Sequence, residues 1–447
     1  MSRAPAGAVP RYTSYPTAPH FHAGVDDATY ARWLGGLPAD AALSLYAHVP
    51  FCDTLCWFCG CTTKTTKRYA PVAAYLRALT AEIALVARHA QGRGTVRHLH
   101  WGGGSPTILE PADVLALSRS LRTAFAFAPD AEFAVEIDPR GFDGGRLDAL
   151  AAAGLTRASV GVQDFDRAVQ SAINRAQSFE ETRAAVEGLR ARGVRSLNVD
   201  AIYGLPGQTV ESLLRTLDGV LALAPDRVAL FGYAHVPWMK AHQAMIDAAA
   251  LPGAEARLDM ARAASARIAA AGYVRVGLDH FAIPGDGLAR AAVDGRLRRN
   301  FQGYVAEEAD ALIGLGASAI GGLPQGHAQN ASATGDYARR IGEGRLATVR
   351  GYALRADDLP RRDAIERLMC DLKFDARALR RRHGAAAEPL VAIARGLVAA
   401  DAEGLLAPED DGFRVTERGR AHLRGIAARF DAYLGTGVAA ARHSLAV

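Results

Sequence analysis

Residues 46–61 read YAHVPFCDTLCWFCGC, and this stretch contains four of the five cysteines in a chain of 447 residues. The fifth, Cys370, lies more than three hundred residues further along the chain. An odd number of cysteines in a long chain does not indicate a disulfide framework, so we expect reduced thiols and a cytoplasmic location. The crowding indicates instead that these thiols act together at one site.

Three of the cysteines, Cys52, Cys56 and Cys59, have the spacing C-x3-C-x2-C on a loop that follows a predicted strand. Zinc usually takes four ligands from two separate knuckles, and the remaining candidate, Cys61, comes only two residues after Cys59. Three thiolates from one loop suit an iron–sulfur cubane in which one iron has no protein ligand. A zinc site and inert buried thiols are the weaker alternatives. An open iron of this kind can take the amine and carboxylate of a bound molecule.

Apolar and β-branched segments alternate along the chain with amphipathic stretches such as 72–90 and 181–193, which predict helices. The segments that predict strands are 43–49, 96–101, 132–137, 157–162, 196–202 and 227–233. This alternation predicts a parallel α/β core, either a barrel or a doubly wound sheet. Residues able to do chemistry follow strand after strand, as they do at the top face of a barrel. Six units are too few to close one, so we predict an open, partial parallel β/α barrel.

The alternation stops after about residue 290. Residues 405–434, LLAPEDDGFRVTERGRAHLRGIAARFDAYL, predict a short wing-like hairpin that turns at Asp411-Gly412 and is followed by a helix. We therefore predict three parts: an N-terminal arm over residues 1–40, a barrel over 41–290 and a mainly helical C-terminal domain over 291–447.

The composition argues against two classes of partner. The net charge of +5 is spread along the chain, and its densest basic clusters, 296–300 and 377–383, lack interleaved aromatic residues, so we expect no nucleic-acid binding. No apolar run approaches the roughly 20 residues that cross a bilayer, and the first residues do not read as a signal peptide. We expect no membrane insertion.

The cysteine loop resembles the signature of radical S-adenosylmethionine (SAM) enzymes. The rest of the chain resembles one branch of that superfamily, the oxygen-independent coproporphyrinogen III oxidases. The motifs that carry this resemblance run in order along nearly the whole chain and are PRYTSYPT (10–17), LHWGGGSPT (99–107), EIDPR (136–140), GVQDF (161–165), NVDAIYGLP (198–206), YAH (233–235), DHFA (279–282), RNFQGY (299–304), GASAI (316–320) and FDAYL (430–434). Each motif alone is weak, but chance does not account for ten in order.

The resemblance implies a 4Fe–4S cluster on Cys52, Cys56 and Cys59 and a SAM bound at its free iron. It implies that this SAM contacts Tyr46, Gly103, Glu136 and Ile320. The family also resembles enzymes that hold a second SAM, so two per chain are expected. The residues that the resemblance assigns to the second SAM are Phe58, Gly104, Ser105, Gln163, Arg175, Asp200 and Ala234. The family commonly has threonine at the position of Ser105, a minor departure because the hydroxyl is kept.

The activity implied is the anaerobic oxidative decarboxylation of two propionates of coproporphyrinogen III to vinyl groups, which gives protoporphyrinogen IX. A 5′-deoxyadenosyl radical formed from SAM starts each round, and no catalytic residue beyond the cluster and SAM is implied. The reaction needs an electron donor such as a flavodoxin or ferredoxin and an electron acceptor that the sequence does not identify. We expect a monomer.

Two other functions compete: a heme-binding chaperone and a heme-degrading radical SAM enzyme. In the chaperones an aromatic residue stands where this chain has Cys61, and the PRYTSYPT arm also favours the oxidase. Arg11, within that arm, is a candidate partner for a substrate propionate. His48 and His100 lie on predicted strands, where interior structural roles are expected. The alternative for Arg175 and Asp200 is an ordinary ion pair.

Overall fold

The structure is a computed structural model that describes residues 9–306 and 309–434. The strands within these ranges are β1 (Ala42–Val49), β2 (Phe51–Cys52), β3 (Lys64–Thr65), β4 (Thr95–Gly103), β5 (Phe127–Ile137), β6 (Arg157–Gln163), β7 (Ser196–Tyr203), β8 (Arg227–Gly232), β9 (Val274–Val276), β10 (His280–Ala282), β11 (Arg298–Asn300), β12 (Gly303–Val305), β13 (Ala311–Leu315), β14 (Ile320–Leu323), β15 (Gly326–Asn330), β16 (Thr348–Ala353), β17 (Lys373–Phe374), β18 (Leu406–Glu409) and β19 (Gly412–Val415).

The α-helices of the same ranges alternate with the first strands and dominate the C-terminal region. They are α1 (Asp27–Gly35), α2 (Ala70–Ala90), α3 (Pro111–Ala124), α4 (Gly144–Ala152), α5 (Arg167–Ala172), α6 (Phe179–Ala191), α7 (Val210–Ala222), α8 (Ala254–Ala270), α9 (Gly287–Val293), α10 (Thr334–Gly342), α11 (Asp358–Asp371), α12 (Ala376–His383), α13 (Glu388–Ala399) and α14 (Leu423–Ala428). The predicted helices 72–90 and 181–193 correspond to α2 and α6.

Within the described ranges, twelve strands form one sheet in the order β16-β15-β14-β13-β1-β4-β5-β6-β7-β8-β10-β9. Pairing is parallel from β13 through β8 and antiparallel at both margins. All six predicted strands are present and are neighbours in the parallel region. The sheet has two ends and does not close on itself, as predicted.

The parallel region curves around an interior cavity of about 170 Å³. The cavity is lined by one or more side chains from each of β4, β5, β6, β7, β8 and β10. A flat sheet cannot surround a common space, so this region is a partial barrel. In β6 the buried Ala158, Val160 and Val162 alternate with less buried residues such as Ser159, which lines the cavity. The two-residue period therefore puts apolar groups under the helices and polar groups inside.

The sheet continues beyond residue 290, although the sequence pattern predicted no further strands of the barrel there. β13 pairs in parallel with β1, and β14, β15 and β16 extend the sheet from there. These strands are four to six residues long and rich in glycine, so their hydrophobic period is too short to read. The division into 1–40, 41–290 and 291–447 stays a prediction, and 1–8 and 435–447 lie outside the described residues.

The C-terminal region has its own apolar core around Leu368, Phe374, Phe413 and Phe430. The predicted wing is present as β18 and β19, with β17 beside β19. The turn lies one residue earlier than expected, since Asp410 adopts the left-handed conformation and Gly412 already belongs to β19. A short helix, α14, follows the hairpin as predicted.

The described part of the arm packs on this C-terminal core. Tyr12 and Tyr15 are almost fully buried in it. The Tyr12 hydroxyl donates to Asp431 at 3.0 Å, and the Tyr15 hydroxyl accepts from the backbone N–H of Ala432 at 3.0 Å. Arg11 points the other way and donates to the carbonyl oxygen of Gly232, the last residue of β8, at 3.2 Å. The arm thus joins the C-terminal region to the carboxyl end of a barrel strand.

Of the described helices, α2 alone is long and apolar enough to cross a membrane by length and composition. This corrects the expectation that no apolar run reaches that length. The helix packs against the sheet through Val72, Leu79, Ile83 and Val86, all nearly inaccessible to solvent. Its apolar character is explained by this core position.

A buried carboxylate on α2 ties the extended part of the sheet to the barrel. Glu82 is 1% exposed, and its Oε2 accepts from Gly316 N–H at 2.5 Å and from the Tyr337 hydroxyl at 2.7 Å. Its Oε1 accepts from Asn330 Nδ2 at 2.6 Å. Burial raises the pKa of Glu82 to about 7, although the three hydrogen bonds oppose that shift.

Glu82→Gln should lower the free energy of unfolding by about 1–3 kcal/mol, because its amide nitrogen must face a donor. Asn330 cannot turn to accept, since its Nδ2 also donates to Gly316 O. The folded pKa of about 7 lies above that of an unfolded glutamate, so the wild-type contribution falls as pH rises between about 4.5 and 7. Anaerobic urea denaturation should therefore give a larger loss at pH 5 than at pH 8. Glu187→Gln, at a 67% exposed side chain, is the control. An equal loss at both pH values would contradict this account.

Candidate active site

The cysteine loop leaves the barrel at the carboxyl end of β1 and is closed at its base by a two-residue parallel pairing. Phe51 pairs with Lys64 and Cys52 with Thr65, so residues 53–63 form the loop proper. The carbonyl oxygen of Cys52 also accepts from Thr66 N–H at 3.0 Å. The first predicted ligand, Cys52, is therefore part of a strand and has a fixed position relative to β1.

Carbonyl oxygens along the loop are each held by a donor from elsewhere in the fold. Asn174 donates to Leu55 O at 2.8 Å and Gln243 to Phe58 O at 2.9 Å. His242 donates to Cys59 O at 2.7 Å, Lys240 to Cys61 O at 2.9 Å and His48 to Thr62 O at 2.9 Å. A loop without regular secondary structure is thus held in one conformation by external hydrogen bonds.

The sulfur of Cys56 lies between two guanidinium groups. Arg175 Nη1 approaches Cys56 Sγ at 3.5 Å and Arg140 Nη2 at 3.6 Å. Asp138 accepts from both arginines, at 2.6 Å from Arg140 and 3.4 Å from Arg175. Two cationic donors beside one sulfur can hydrogen-bond to it when it is bound to a metal cluster.

The other thiols have polar neighbours of their own. Cys52 Sγ lies 3.2 Å from Thr63 Oγ1, and Cys59 Sγ accepts from Cys61 N–H at 3.4 Å. Burial raises the pKa of Cys52 to about 11. The pKa of Cys59 is lowered, chiefly by a hydrogen bond from the Cys61 thiol, with His242 and Lys240 adding positive charge.

The donor set suits an iron–sulfur cluster, since one loop offers three thiols and two arginines lie beside the sulfur of Cys56. In the described part of the chain no three Cys, His, Asp or Glu side chains converge as they do around a single ion. A cubane binds each thiolate at a different iron, so its ligands stand around a volume instead of meeting at a point. Cys52, Cys56 and Cys59 stay the predicted ligands, and Cys61 the thiol next to them.

The triple glycine at the end of β4 lies where no side chain fits. A Cβ at Gly102 would stand 2.7 Å from Glu136 Oε1, one at Gly103 2.6 Å from the His48 ring and one at Gly104 2.6 Å from Phe51 O. Gly103 also has a φ of +117°, which only glycine adopts readily. The run therefore lets β4 pass directly under the cysteine loop.

Three of the four residues predicted to contact the cluster-bound SAM lie on adjacent strands. Glu136 Oε2 accepts from Gly103 N–H at 3.0 Å, and its Oε1 accepts from His100 Nε2 at 3.3 Å. Burial acts to raise the pKa of Glu136, but His100 and the Gly103 N–H outweigh it, and the pKa is lowered. Tyr46 packs its ring 5.7 Å from His100. The carboxylate is thus ionised and remains partly accessible as an acceptor.

His48 and His100 are buried and hydrogen-bonded, as expected for interior histidines. The Thr62 carbonyl can only accept, so His48 Nε2 carries the proton and Nδ1 accepts from the Tyr46 hydroxyl at 3.0 Å. Burial lowers the pKa of His48, which agrees with a neutral ring. His48 therefore links Tyr46 to the cysteine loop.

Ile320, the fourth residue of this set, begins β14 next to the same strands. Gly314 pairs with Tyr46 across β13 and β1, and a Cβ at Gly314 would stand 2.7 Å from the Ile320 carbonyl carbon. The structure therefore brings Tyr46, Gly103, Glu136 and Ile320 to one side of the sheet, on β14, β1, β4 and β5.

Most residues predicted for the second SAM lie on the other side, around β6, β7 and β8. Arg175 Nη2 donates to Gly161 O at 2.7 Å, and a Cβ at Gly161 would stand 3.2 Å from both Arg175 Nη2 and Gln163 Nε2. Gln163 has a φ of +72°, a costly conformation for a residue other than glycine. Such strain is common at functional sites.

Asp200 does not pair with Arg175, so the ordinary ion pair considered from the sequence is wrong. Its two oxygens accept from Ser159 at 2.9 Å and from Asn198 at 2.7 Å, and burial raises its pKa. Phe58 packs in the apolar cluster that also contains Tyr233, next to Ala234 in the chain.

Gly104 and Ser105 stand apart from the rest of that set, beside the cysteine loop. Their N–H groups donate to Val49 O at 2.9 Å and to Phe51 O at 2.7 Å. The Ser105 hydroxyl lies 2.8 Å from Thr107 Oγ1. They fix the turn that follows β4.

Several residues of the site were not found from the sequence. Arg140 lies in the quoted EIDPR motif, but nothing in the motif says that its side chain reaches Cys56. Lys240, His242 and Gln243 carried no signal, because they bind backbone atoms of a loop nearly two hundred residues earlier.

Comparison with known proteins gives matches over nearly the whole chain. A profile of the radical SAM superfamily matches residues 46–220, and one of the HemN C-terminal domain matches residues 354–422. The oxygen-independent coproporphyrinogen III oxidase of Paracoccus denitrificans is 50% identical over 440 residues, covering 98% of this chain and 96% of that protein. The protein of the same name from Bradyrhizobium diazoefficiens is 50% identical over 429 residues, covering 96% of this chain and 95% of its own.

The chain belongs to the oxygen-independent coproporphyrinogen III oxidase family.

The solved structure of the coproporphyrinogen III oxidase HemN from Escherichia coli, described as a radical SAM enzyme, superposes with a TM-score of 0.90 at 39% identity. The match covers 95% of this chain and 98% of that one. As a member of the coproporphyrinogen III oxidase family, the chain is a radical SAM oxidoreductase, which implies a 4Fe–4S cluster and SAM. The predicted family, fold class and enzyme class are confirmed.

Replacing any one of Cys52, Cys56 or Cys59 with alanine should abolish the cluster of this oxidase, because an open-iron cubane has only three protein ligands. Cys61→Ala and Cys370→Ala are the matched controls and should keep about four irons per chain. Iron analysis and visible absorption of anaerobically purified protein measure this. A Cys56→Ala protein with the iron content of wild type would refute the ligand assignment. A Cys61→Ala protein with as little iron as Cys56→Ala would refute it as well.

Arg140→Leu should lower the reduction potential of the cluster, because it removes a cationic donor from the Cys56 sulfur and leaves the negative charge of Asp138 less compensated. Anaerobic redox titration followed by the visible absorption of the cluster measures the potential. Arg146→Leu, on α4 and paired with Asp143, is the control. An unchanged potential in Arg140→Leu with normal iron content would show that Arg140 does not act on the cluster.

Proposed function

We propose that this protein converts coproporphyrinogen III to protoporphyrinogen IX without oxygen, by oxidative decarboxylation of two propionates to vinyl groups. The observation that supports it best is identity at the 50% level over nearly the full length of relatives that carry this name. Cys61 and the arm, the features that set this family apart from heme chaperones, are both present.

The chain supplies the binding and orientation that this chemistry needs. Cys52, Cys56 and Cys59 would hold the cluster, and Glu136, ionised and partly accessible, would accept from ribose hydroxyls of SAM. When bound, the cluster and SAM supply the 5′-deoxyadenosyl radical that removes a β-hydrogen from a propionate. Within the cysteine loop, the partly buried Trp57 and Phe58 pack on an apolar cluster, which limits access of water on that side.

The proposal includes two SAM molecules per chain. The candidate residues fall into two groups on the sheet, one around β14, β1, β4 and β5 and the other chiefly around β6, β7 and β8. Asp200 in the second group is a half-buried carboxylate whose partners are both neutral, and it could accept from hydroxyls or an amine. Glu136 of the first group and Asp200 of the second line the same interior cavity, so the two SAM molecules would lie next to each other.

The remaining parts of the proposal concern partners and place. Each round needs one electron from a donor such as a flavodoxin or ferredoxin, and one electron must pass to an acceptor. We propose that the protein works as a monomer in the cytoplasm, where cysteines that form no disulfide stay reduced.

The direct test is anaerobic incubation with coproporphyrinogen III, SAM and a reductant, followed by porphyrin analysis. We expect protoporphyrinogen IX together with methionine and 5′-deoxyadenosine, and no product from the Cys56→Ala protein. SAM cleavage without any vinyl product from wild type would reject the proposed substrate.

Asp200→Ala should reduce SAM stoichiometry from two to one per chain under anaerobic conditions. Loss of a charge-assisted contact weakens binding by about 1.5–3 kcal/mol, which is roughly tenfold to a hundredfold. Arg175→Ala should do the same, but Asp200 is the cleaner test because Arg175 also contacts Cys56. The single remaining SAM should still be cleaved at the cluster. Saturation of wild type at one SAM, with both variants unchanged, would remove the second site.

A further inference from the structure

A second cavity lies at the open edge of the barrel. It has a volume of about 540 Å³ and is bounded by α8, by β8 and β10, and by residues 417–424 of the C-terminal region. Phe231, in β8, lines both this cavity and the interior cavity that contains Glu136 and Asp200. A ligand in the second cavity would therefore lie next to the candidate SAM sites.

The cavity is strongly cationic. Among the described residues, seven arginines and two carboxylates line it. The arginines come from the arm, the sheet, α8 and the C-terminal region, and they are Arg11, Arg262, Arg275, Arg299, Arg418, Arg420 and Arg424. Charge of one sign gathered on a concave surface attracts ligands of the opposite sign, so the cavity favours an anion.

The two carboxylates already have other partners. Glu417 accepts from Arg275 at 2.9 Å and from Arg420 at 3.0 Å. Asp279 accepts from His280 Nδ1 at 2.7 Å. The charges of Arg299 and Arg11 also help to lower the pKa of Asp279, yet two carboxylates among seven arginines leave the cavity cationic.

The side chains of Arg11 and Arg299 have N–H donors that are available to a ligand. Within the described ranges neither forms an ion pair with a carboxylate. Arg11 Nη2 donates to Gly232 O, while Arg299 lies over the Tyr304 ring at 4.5 Å and its buried Nε has no hydrogen-bond partner. Burial and then the charge of Arg11 lower the pKa of Arg424 to about 10, which places these cations close enough to repel one another.

We propose that Arg11, Arg299 and Arg424 bind a propionate carboxylate of the tetrapyrrole substrate, an inference that rests on the proposed function. Guanidinium groups bind carboxylates through paired, charge-assisted hydrogen bonds. The apolar wall formed by Leu230, Leu258 and Phe281 suits the methylene groups and the pyrrole that carry the carboxylate.

The bound propionate is one of the two that protoporphyrinogen IX keeps. Pairing with arginine stabilises a carboxylate as an anion, which opposes its loss as carbon dioxide. Of the four propionates of coproporphyrinogen III, two react and two remain. The second cavity thus binds a propionate that is kept in the product, while a different propionate reacts in the interior cavity on the other side of Phe231.

Coproporphyrin III and protoporphyrin IX, the stable oxidised forms of substrate and product, serve as probes in anaerobic fluorescence titrations of the reconstituted enzyme. Arg11→Gln and Arg299→Gln should each weaken the binding of both porphyrins about tenfold or more. Iron content and the affinity for SAM should not change. Arg11→Lys and Arg299→Lys keep the charge and should recover part of the affinity, while Arg183→Gln, at an exposed position on α6, should bind like wild type.

Unchanged binding of both porphyrins in both glutamine variants would overturn the proposal. A loss of SAM affinity instead would assign the cavity to the methionine carboxylate. A loss for coproporphyrin III alone would overturn the assignment to a retained propionate. Wild type that converts coproporphyrinogen III while the variants bind normally would reject only this inference. Wild type that neither binds nor converts a tetrapyrrole would reject the proposed function as well.

Discussion

The hydrogen bonds to the backbone of the cysteine loop are the constraint on which the rest of the site depends. A loop that leaves a strand and must present three sulfurs around one volume has no regular structure of its own to hold it. Its carbonyl groups are held instead by His48 from β1, Asn174 after α5 and Lys240, His242 and Gln243 after β8. Residues that follow several barrel strands therefore fix the loop, and the positions of the cysteine sulfurs are fixed relative to the sheet.

The same arrangement explains how charge is distributed around the loop. Arg140 and Arg175 lie beside Cys56, while Asp138 accepts from both and limits their net positive charge. Glu136, two residues before Asp138 in the chain, is held ionised by His100 and by the backbone N–H of Gly103. Glu136, Asp138 and Arg140 lie at the end of β5, and Arg175 follows β6 and α5, so the parallel pairing of β5 with β6 brings these groups together at the carboxyl ends.

The sequence predicted the central fold and the loop well because both have local signals. The six parallel strands are apolar runs separated by amphipathic helices, and the spacing of Cys52, Cys56 and Cys59 is visible within eight residues. β13 to β16 were missed because short glycine-rich strands carry little periodicity. The contacts of Arg140, Lys240 and His242 join residues far apart in the chain, and no pattern within one segment encodes them. The alternative of an ion pair between Arg175 and Asp200 could be excluded only from the structure, since the order of the strands decides which charges meet.

The return of the chain to the sheet at β13 also bears on how the barrel can be divided. β13 covers the edge of β1, the strand from which the cysteine loop departs. A chain cut at residue 290 would leave that edge with unpaired N–H and C=O groups, which invite association with another strand. It would also lose Asn330 and Tyr337, the partners that satisfy Glu82 inside the core. The barrel can therefore fold independently only if it includes β13 and the residues that follow it. A domain transferred between proteins in evolution would have to carry these residues as well.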